Sequence, residues 1–217
     1  MAADLKDCRL YGIVDLSYIT VAEAPRIARA MIEGGIDLIQ LRGKGHRVEE
    51  LAALAAELHA ITSPQATPLI INDHAEIARM VEVEGVHVGQ DDLSVAEARR
   101  IAGRSLLIGK STHTLGQAKA AETEGADYIG FGPLFATPTK PNYAAIGLAD
   151  IAQVHREVNL PIFCIGGIKL TNLPEVIAAG ARKVVIVSGL LQSKDLAATA
   201  RAAKQLLSAS DNRNSKI

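Results

Sequence analysis

The chain has no Trp, and Phe and Tyr together supply only 3% of its 217 residues, which leaves too few stacking platforms for a protein that grips single-stranded nucleic acid. Cysteine is almost absent. Cys8 and Cys164 cannot build a disulfide framework and lack metal-ligand spacing, so they suit a reducing compartment, and the expected location is cytoplasmic. Neither sign of charge is in excess: 23 Lys and Arg against 24 Asp and Glu leave a formal net charge of -1, and no overall field recruits nucleic acid or an anionic membrane. Any anion site must be local. No uncharged apolar run reaches membrane-spanning length, and the opening MAADLKDCRL puts acidic residues where a secretory leader carries basic ones. Neither G-x-G-x-x-G after a strand nor G-x-x-x-x-G-K-[ST] occurs, so dinucleotide and P-loop nucleotide sites lack their signatures.

What is present is apolar sequence in short, regularly spaced pieces. At 48% hydrophobic and 22% charged residues the chain can bury a substantial core and stay in water. Eight β-rich runs, at residues 10–15, 37–42, 68–73, 85–89, 106–111, 127–132, 161–166 and 183–188, alternate with stretches of helical period such as 49–61, 75–81, 95–102, 115–124, 149–158 and 173–179. Eight alternating βα units predict one (β/α)8 TIM barrel over residues 1–217, with its core at about 10–207. The polar stretch 208–217 lacks periodicity and is expected to fray. GGIDLI at Gly34, EGVHV at Glu84, EGADYI at Glu124 and AGARKVVI at Ala179 each set a Gly just before a strand, as tight αβ turns at the bottom of a barrel require. Asp37 and Asp127 then fall on that bottom face, where a stabilising role is expected.

The working face of a barrel lies at the carboxyl ends of its strands. There the sequence delivers Gln40, Arg42 and Lys44 from strand 2, Asn72 and Asp73 from strand 3, and Gln90, Asp91 and Asp92 from strand 4. Strand 5 brings Ser111, Thr112 and His113, and strand 6 enters GPLFATPTKP with Thr137, Thr139 and Lys140. Strands 7 and 8 end in Gly166 and Gly167 and in Val187, Ser188 and Gly189, the usual place for a monophosphate, where small residues admit an anion to backbone N–H groups. Arg42 and Lys44 can neutralise a second, more highly charged anion, while Asp73 and Asp92 are suited to a hard divalent cation such as Mg2+. Ordinary salt bridges joining Arg42 or Lys44 to Asp73 or Asp92 are the structural alternative. His87, inside a strand, is expected to be a hydrogen-bonded core or bottom-lining residue, and Cys164 a buried apolar filler. His113 is better placed for the mouth, but no Ser-His-Asp or Cys-His order forms around it.

The phrases QLRGK, IINDH, GVHVGQDD, IGKSTH, GPLFATPTK, IGGI and VSG, in this order over about residues 10–191, resemble the thiamine phosphate synthase family. The resemblance implies a transferase that joins hydroxymethylpyrimidine diphosphate to a thiazole monophosphate, with no nucleic-acid or membrane partner and homo-oligomerisation left open. It assigns Arg42, Lys44, Asn72 and Lys140 to the diphosphate, Asp73 and Asp92 to Mg2+, and Gln40 and Ser111 to the aminopyrimidine. Thr137, Thr139, Gly167, Val187 and Ser188 match the thiazole phosphate positions, with Gly166 a neighbour. Where the family usually carries an acidic residue between the Arg and Lys of QLR-x-K, this chain has Gly43, expected to loosen the loop. A one-phosphate thiazole tautomerase using His113 as base and a non-catalytic sugar- or thiazole-phosphate sensor are the competing readings.

Overall fold

The apolar runs form strands β1 (Leu10–Asp15), β2 (Leu38–Arg42), β3 (Leu69–Asn72), β4 (Gly85–Val88), β5 (Leu107–Thr112), β6 (Tyr128–Phe131), β7 (Ile162–Cys164) and β8 (Lys183–Ile186). All pair in parallel with their sequence neighbours, and β8 returns to β1 to close the barrel. The computed structural model describes residues 5–137 and 144–214. Helices α1 (Ala24–Glu33), α2 (Val48–Thr62), α3 (Ala75–Val81), α4 (Val95–Ala102), α5 (Leu115–Thr123), α6 (Ile151–Glu157), α7 (Leu173–Ala178), α8 (Ser188–Leu191) and α9 (Leu196–Asn214) follow in order. Local chemistry starts several of them: Ser94 and Glu97 form a reciprocal capping box on α4, and Thr114 Oγ1 accepts the Gln117 N–H at the start of α5. Such a cap contributes about 1 kcal/mol. Among the described residues no helix is long and apolar enough to cross a membrane.

Strand alternation divides the apolar side chains between two cores. Leu10, Val14, Ile39, Leu41, Ile71 and Val86 face outward and pack against the helices. Tyr11, Ile13, Leu38, Ile70, Leu107, Tyr128, Phe163 and Val185 fill the inside of the barrel. At the amino ends of the strands the Lys183 ammonium donates to the carbonyls of Leu5, Lys6 and Cys8 at 2.9, 2.6 and 2.7 Å, so the first described residues seal the barrel floor. Cys164 is buried in the outer core, and desolvation pushes its thiol up to about 12, as expected of an inert filler.

The bottom face holds its acidic residues for stability. Asp37 Oδ2 accepts from the N–H groups of Arg9 and Leu10 at 2.8 and 2.9 Å, Asp127 Oδ2 from Ile108 at 2.6 Å, and Glu84 Oε2 from Leu69 at 2.7 Å. Each carboxylate thus satisfies a backbone donor at the amino end of the preceding strand. Gly35, Gly125 and Gly180 adopt the left-handed φ expected of the recurring phrase, at +81°, +86° and +108°. The fourth copy differs: Glu82 takes the left-handed position at φ +61°, and Gly85 is the first residue of β4. There a Cβ would fall 2.5 Å from the Leu107 carbonyl oxygen, so close strand approach requires this glycine. The stretch expected to fray is helical as far as Asn214. It contains no Gly or Pro, and absent apolar periodicity shows only that a face is solvated, not that the backbone leaves the helix.

Candidate functional site

Inward-facing positions near the carboxyl ends of the strands converge on one cavity. From one side come Gln40, Arg42, Asn72 and Ser111; from the other, Thr137, Gly166, Gly167, Val187 and Ser188. Tyr11, His87, Tyr128 and Phe163 form its floor, and His113 lines its wall. Thr139 and Lys140 lie outside the described residues.

Arg42 and Lys44, two residues apart, have different partners. Arg42 Nη1 donates to Asp15 Oδ2 at 2.8 Å, and Asp15 is fully buried at the end of β1. Lys44 Nζ stands 3.2 Å from Asp73 Oδ2 and 3.9 Å from Asp92 Oδ1. The salt-bridge alternative therefore describes Lys44 and both aspartates, while the Arg42 partner is a residue that the sequence reading did not select. That Asp15 belongs to the working face is legible, since it ends the first strand as Arg42 ends the second; that the two pair is not.

Asp73 and Asp92 direct carboxylate oxygens at the same cation. Burial first, then the neighbouring Asp92, raises the Asp73 carboxyl above its ordinary value, with Lys44 acting in the opposite sense. Asp73 takes a left-handed φ of +64°, and Asp92 Oδ2 accepts the Gly89 N–H at 2.9 Å. Lys110, buried outside the barrel wall, donates to the carbonyls of Gly89 and Leu93 at 2.7 and 3.5 Å and so holds both ends of the loop carrying Asp92. Asp73 and Asp92 supply two hard carboxylates, a number suited to Mg2+, which typically keeps one or two and completes its octahedron with water and phosphate oxygens. Among the described residues no group of three His, Cys, Asp or Glu gathers as a ready ligand cage.

Gly43 is not the loosening residue expected. Its φ is not left-handed, and a Cβ there would meet Leu51 Cδ2 at 2.5 Å and Leu16 Cδ1 at 2.9 Å, so the position is set by side chains closing over it. Gly166 and Gly167 have φ of +100° and +67°. A Cβ on Gly166 would overlap Pro133, and one on Gly167 would come within 2.6 Å of Phe135 Cβ. Asn172 Nδ2 donates to the Gly167 carbonyl at 3.0 Å and Oδ1 accepts the Lys169 N–H at 2.7 Å, pinning the turn after β7. The turn after β8 meets it closely, since a Cβ on Gly189 would lie 2.9 Å from the Ile168 oxygen.

His87 is hydrogen-bonded, as expected, but it lines the cavity and not the bottom: Nδ1 is 3.2 Å from Tyr128 Oη and Nε2 is 3.0 Å from Ser111 Oγ. Strand parity could have placed it, since His87 in β4 faces inward as Gln40 does in β2. His113 Nδ1 contacts the Gly132 carbonyl oxygen, and its N–H donates to Gln117 Oε1 at 2.7 Å.

Residues 10–190 match the family model described as thiamine monophosphate synthase. The chain is 40% identical over 196 residues to a thiamine-phosphate synthase of Halalkalibacterium halodurans, covering 90% of this chain and 93% of the relative. It is 41% identical over 207 residues to a thiamine-phosphate synthase of Chloroflexus aurantiacus, covering 95% of each. Among solved structures, thiamine phosphate pyrophosphorylase from Pyrococcus furiosus superposes with a TM-score of 0.85 at 28% identity, covering 94% of this chain and 96% of that one. A 3-hexulose-6-phosphate synthase, at TM-score 0.70 and 18% identity, shares the barrel alone. Closed barrel and these similarities agree: the chain is a transferase that belongs to the thiamine monophosphate synthase family.

Proposed function

We propose that this protein condenses hydroxymethylpyrimidine diphosphate with a thiazole monophosphate, giving thiamine phosphate and pyrophosphate. The observation that carries the reading is the single cavity shared by Arg42, Asn72, Gln40 and Ser111 on one side and by Gly166, Gly167, Val187, Ser188 and Thr137 on the other. Two anionic substrates need two cradles facing one reaction space, and both groups open into it.

In this reading Gln40 and Ser111 hold the aminopyrimidine, and Arg42, Lys44, Asn72 and Lys140 hold its diphosphate. Asp73 and Asp92 would hold Mg2+, which when bound adds positive charge beside the departing diphosphate. The methylene carbon–oxygen bond breaks with its electron pair leaving on pyrophosphate, and the electron-rich ring carries the resulting cation. The thiazole nitrogen lone pair then forms the new carbon–nitrogen bond. No strong base is required. Arg42, Lys44 and Lys140 stabilise charge that grows on the leaving group, and the barrel walls keep the rings in line. Thr137, Thr139, Gly167, Val187 and Ser188, with Gly166 beside them, hold the thiazole phosphate away from that charge. Cys8 and Cys164, both buried thiols, are in keeping with a cytoplasmic enzyme.

The test mixes both substrates with the purified protein, with and without Mg2+, and follows pyrophosphate and thiamine phosphate. Metal-dependent appearance of both products in equal amounts is expected. Interconversion of thiazole isomers alone, or binding without turnover, overturns the reading.

A further inference from the structure

Gln40 and Ser111 approach the cavity from β2 and β5, and an unbroken chain of side-chain hydrogen bonds beneath the cavity connects them. Gln40 Nε2 is 2.6 Å from Tyr11 Oη, Tyr11 Oη is 3.2 Å from Tyr128 Oη, Tyr128 Oη is 3.2 Å from His87 Nδ1, and His87 Nε2 is 3.0 Å from Ser111 Oγ. Gln40, Tyr11 and Tyr128 are buried to 3%, 2% and 0% exposure, so their polar atoms depend on one another. A Cβ on Gly109 would overlap both Tyr128 Cζ and His87 Nδ1: the Tyr128–His87 contact occupies the space a side chain would take.

Such a chain has a direction. Each tyrosine hydroxyl carries one proton, and a neutral imidazole carries one N–H. With the Gln40 amide N–H donating to Tyr11, the Tyr11 proton goes to Tyr128, the Tyr128 proton to His87 Nδ1, and the His87 Nε2–H to Ser111 Oγ. This leaves the Ser111 hydroxyl proton to be donated on the cavity side, and the Gln40 Oε1 to accept there. Running the chain the other way exchanges the two roles and requires the other His87 tautomer.

We propose that Tyr11, Tyr128 and His87 are positioning residues whose hydrogen-bond direction makes Ser111 a donor and Gln40 an acceptor, selecting a 4-aminopyrimidine over its 4-oxo counterpart. The inference rests on the aminopyrimidine reading of the site. An aminopyrimidine offers an accepting ring nitrogen and a donating amino group, which complement this direction. A 4-oxo ring places an accepting carbonyl where the amino group would be, opposite the Gln40 oxygen, and a buried polar mismatch costs affinity.

The test begins with the ligand-free full chain labelled with 15N-histidine in mildly alkaline buffer, His87 being assigned by its loss in His87→Gln. The expected spectrum shows the Nε2–H tautomer. In Gln40→Glu the new carboxylate can only accept from Tyr11, so the chain reverses and His87 becomes the Nδ1–H tautomer. Binding of 4-amino-2-methylpyrimidine and 2-methylpyrimidin-4-one is then compared by titration. Wild type is expected to prefer the amino compound by about tenfold or more, and Tyr128→Phe, which interrupts the chain without touching either end, to lose most of that preference. A merely structural tyrosine would weaken both compounds alike. An Nδ1–H tautomer in wild type, an unchanged tautomer in Gln40→Glu, or an unchanged preference in Tyr128→Phe overturns the directional chain. Absence of binding by both compounds with the Nε2–H tautomer intact overturns the pyrimidine reading, and with it the selection.

Discussion

Asp15 holds Arg42 by a 2.8 Å hydrogen bond across the first two strands, and its other oxygen accepts the Ser17 N–H and hydroxyl at 3.0 and 2.7 Å. The Asp15 side chain is 1% exposed and the Arg42 side chain 11%. Removing one partner of a buried pair strands the other, at about 3–5 kcal/mol. Asp15→Ala should lower unfolding free energy on that scale in urea titrations. It should also raise KM for the pyrimidine diphosphate, because Arg42 loses the group that orients it. A loss below about 1 kcal/mol, the range of exposed pairs, would show that Arg42 is held by something else.

Asp73 and Asp92 share the Lys44 ammonium. Loss of one electrostatic contact to a leaving group commonly costs about a hundredfold to a thousandfold in rate. Asp73→Ala is expected to reduce kcat/KM by that factor at saturating Mg2+ while leaving the circular dichroism spectrum unchanged. Chelation of divalent cations should stop pyrophosphate release from the unmodified protein, and added Mg2+ should restore it.

Gly167 combines a φ of +67° with a 2.6 Å approach of its missing Cβ to Phe135. Alanine there meets backbone strain of about 1–3 kcal/mol before any displacement of Phe135. Gly167→Ala should lower the melting temperature and raise KM for the thiazole phosphate more than for the pyrimidine. Equal effects on both substrates would argue against this turn as the monophosphate cradle.

His155 on α6 is half-buried, and its Nε2 lacks a hydrogen-bond partner among the described residues. Burial, then the charges of Arg182 and Lys183, lowers its pKa from 6.5 to about 4. The unfolded chain takes up this proton near pH 6.5 while the folded protein resists it, so the contribution is fully present above 6.5 and is lost as pH falls towards about 4. His155→Leu should lose less stability than wild type across that interval, measured by urea unfolding at a series of pH values. Parallel curves would remove His155 from the acid response.

Periodicity and strand-end position made much of this protein legible. The runs around Ile39, Ile70 and Val185 are short, nearly continuous and rich in β-branched residues, as strands buried on both faces read, and parallel strands joined by helices close only in a few ways. Gln40, Arg42, Asn72 and Ser111 were therefore legible as cavity residues: a side chain at the carboxyl end of a barrel strand points to the working face by construction. Asp37 and Asp127 were assigned to the opposite face by the same logic.

Partnership was not legible, because it depends on which strands become neighbours and which side chains reach across the lumen. Nothing local joins Asp15 to Arg42, 27 residues apart, or Tyr11 to Tyr128, 117 apart. Gly43 and Gly85 carry no mark in the sequence that says close packing and not free φ, since that is decided by Leu51, Leu16 and Leu107 arriving from elsewhere in the chain. The amino-acid sequence by itself determined the eight βα units, the near-balance of charge and the polar inventory of one rim, all properties of local pattern and composition. Only closure of the barrel decided that Lys44 bridges two aspartates, that Arg42 rests on Asp15 and that five side chains join beneath the cavity, because hydrogen bonds act over about 3 Å and only the folded chain brings distant residues that close.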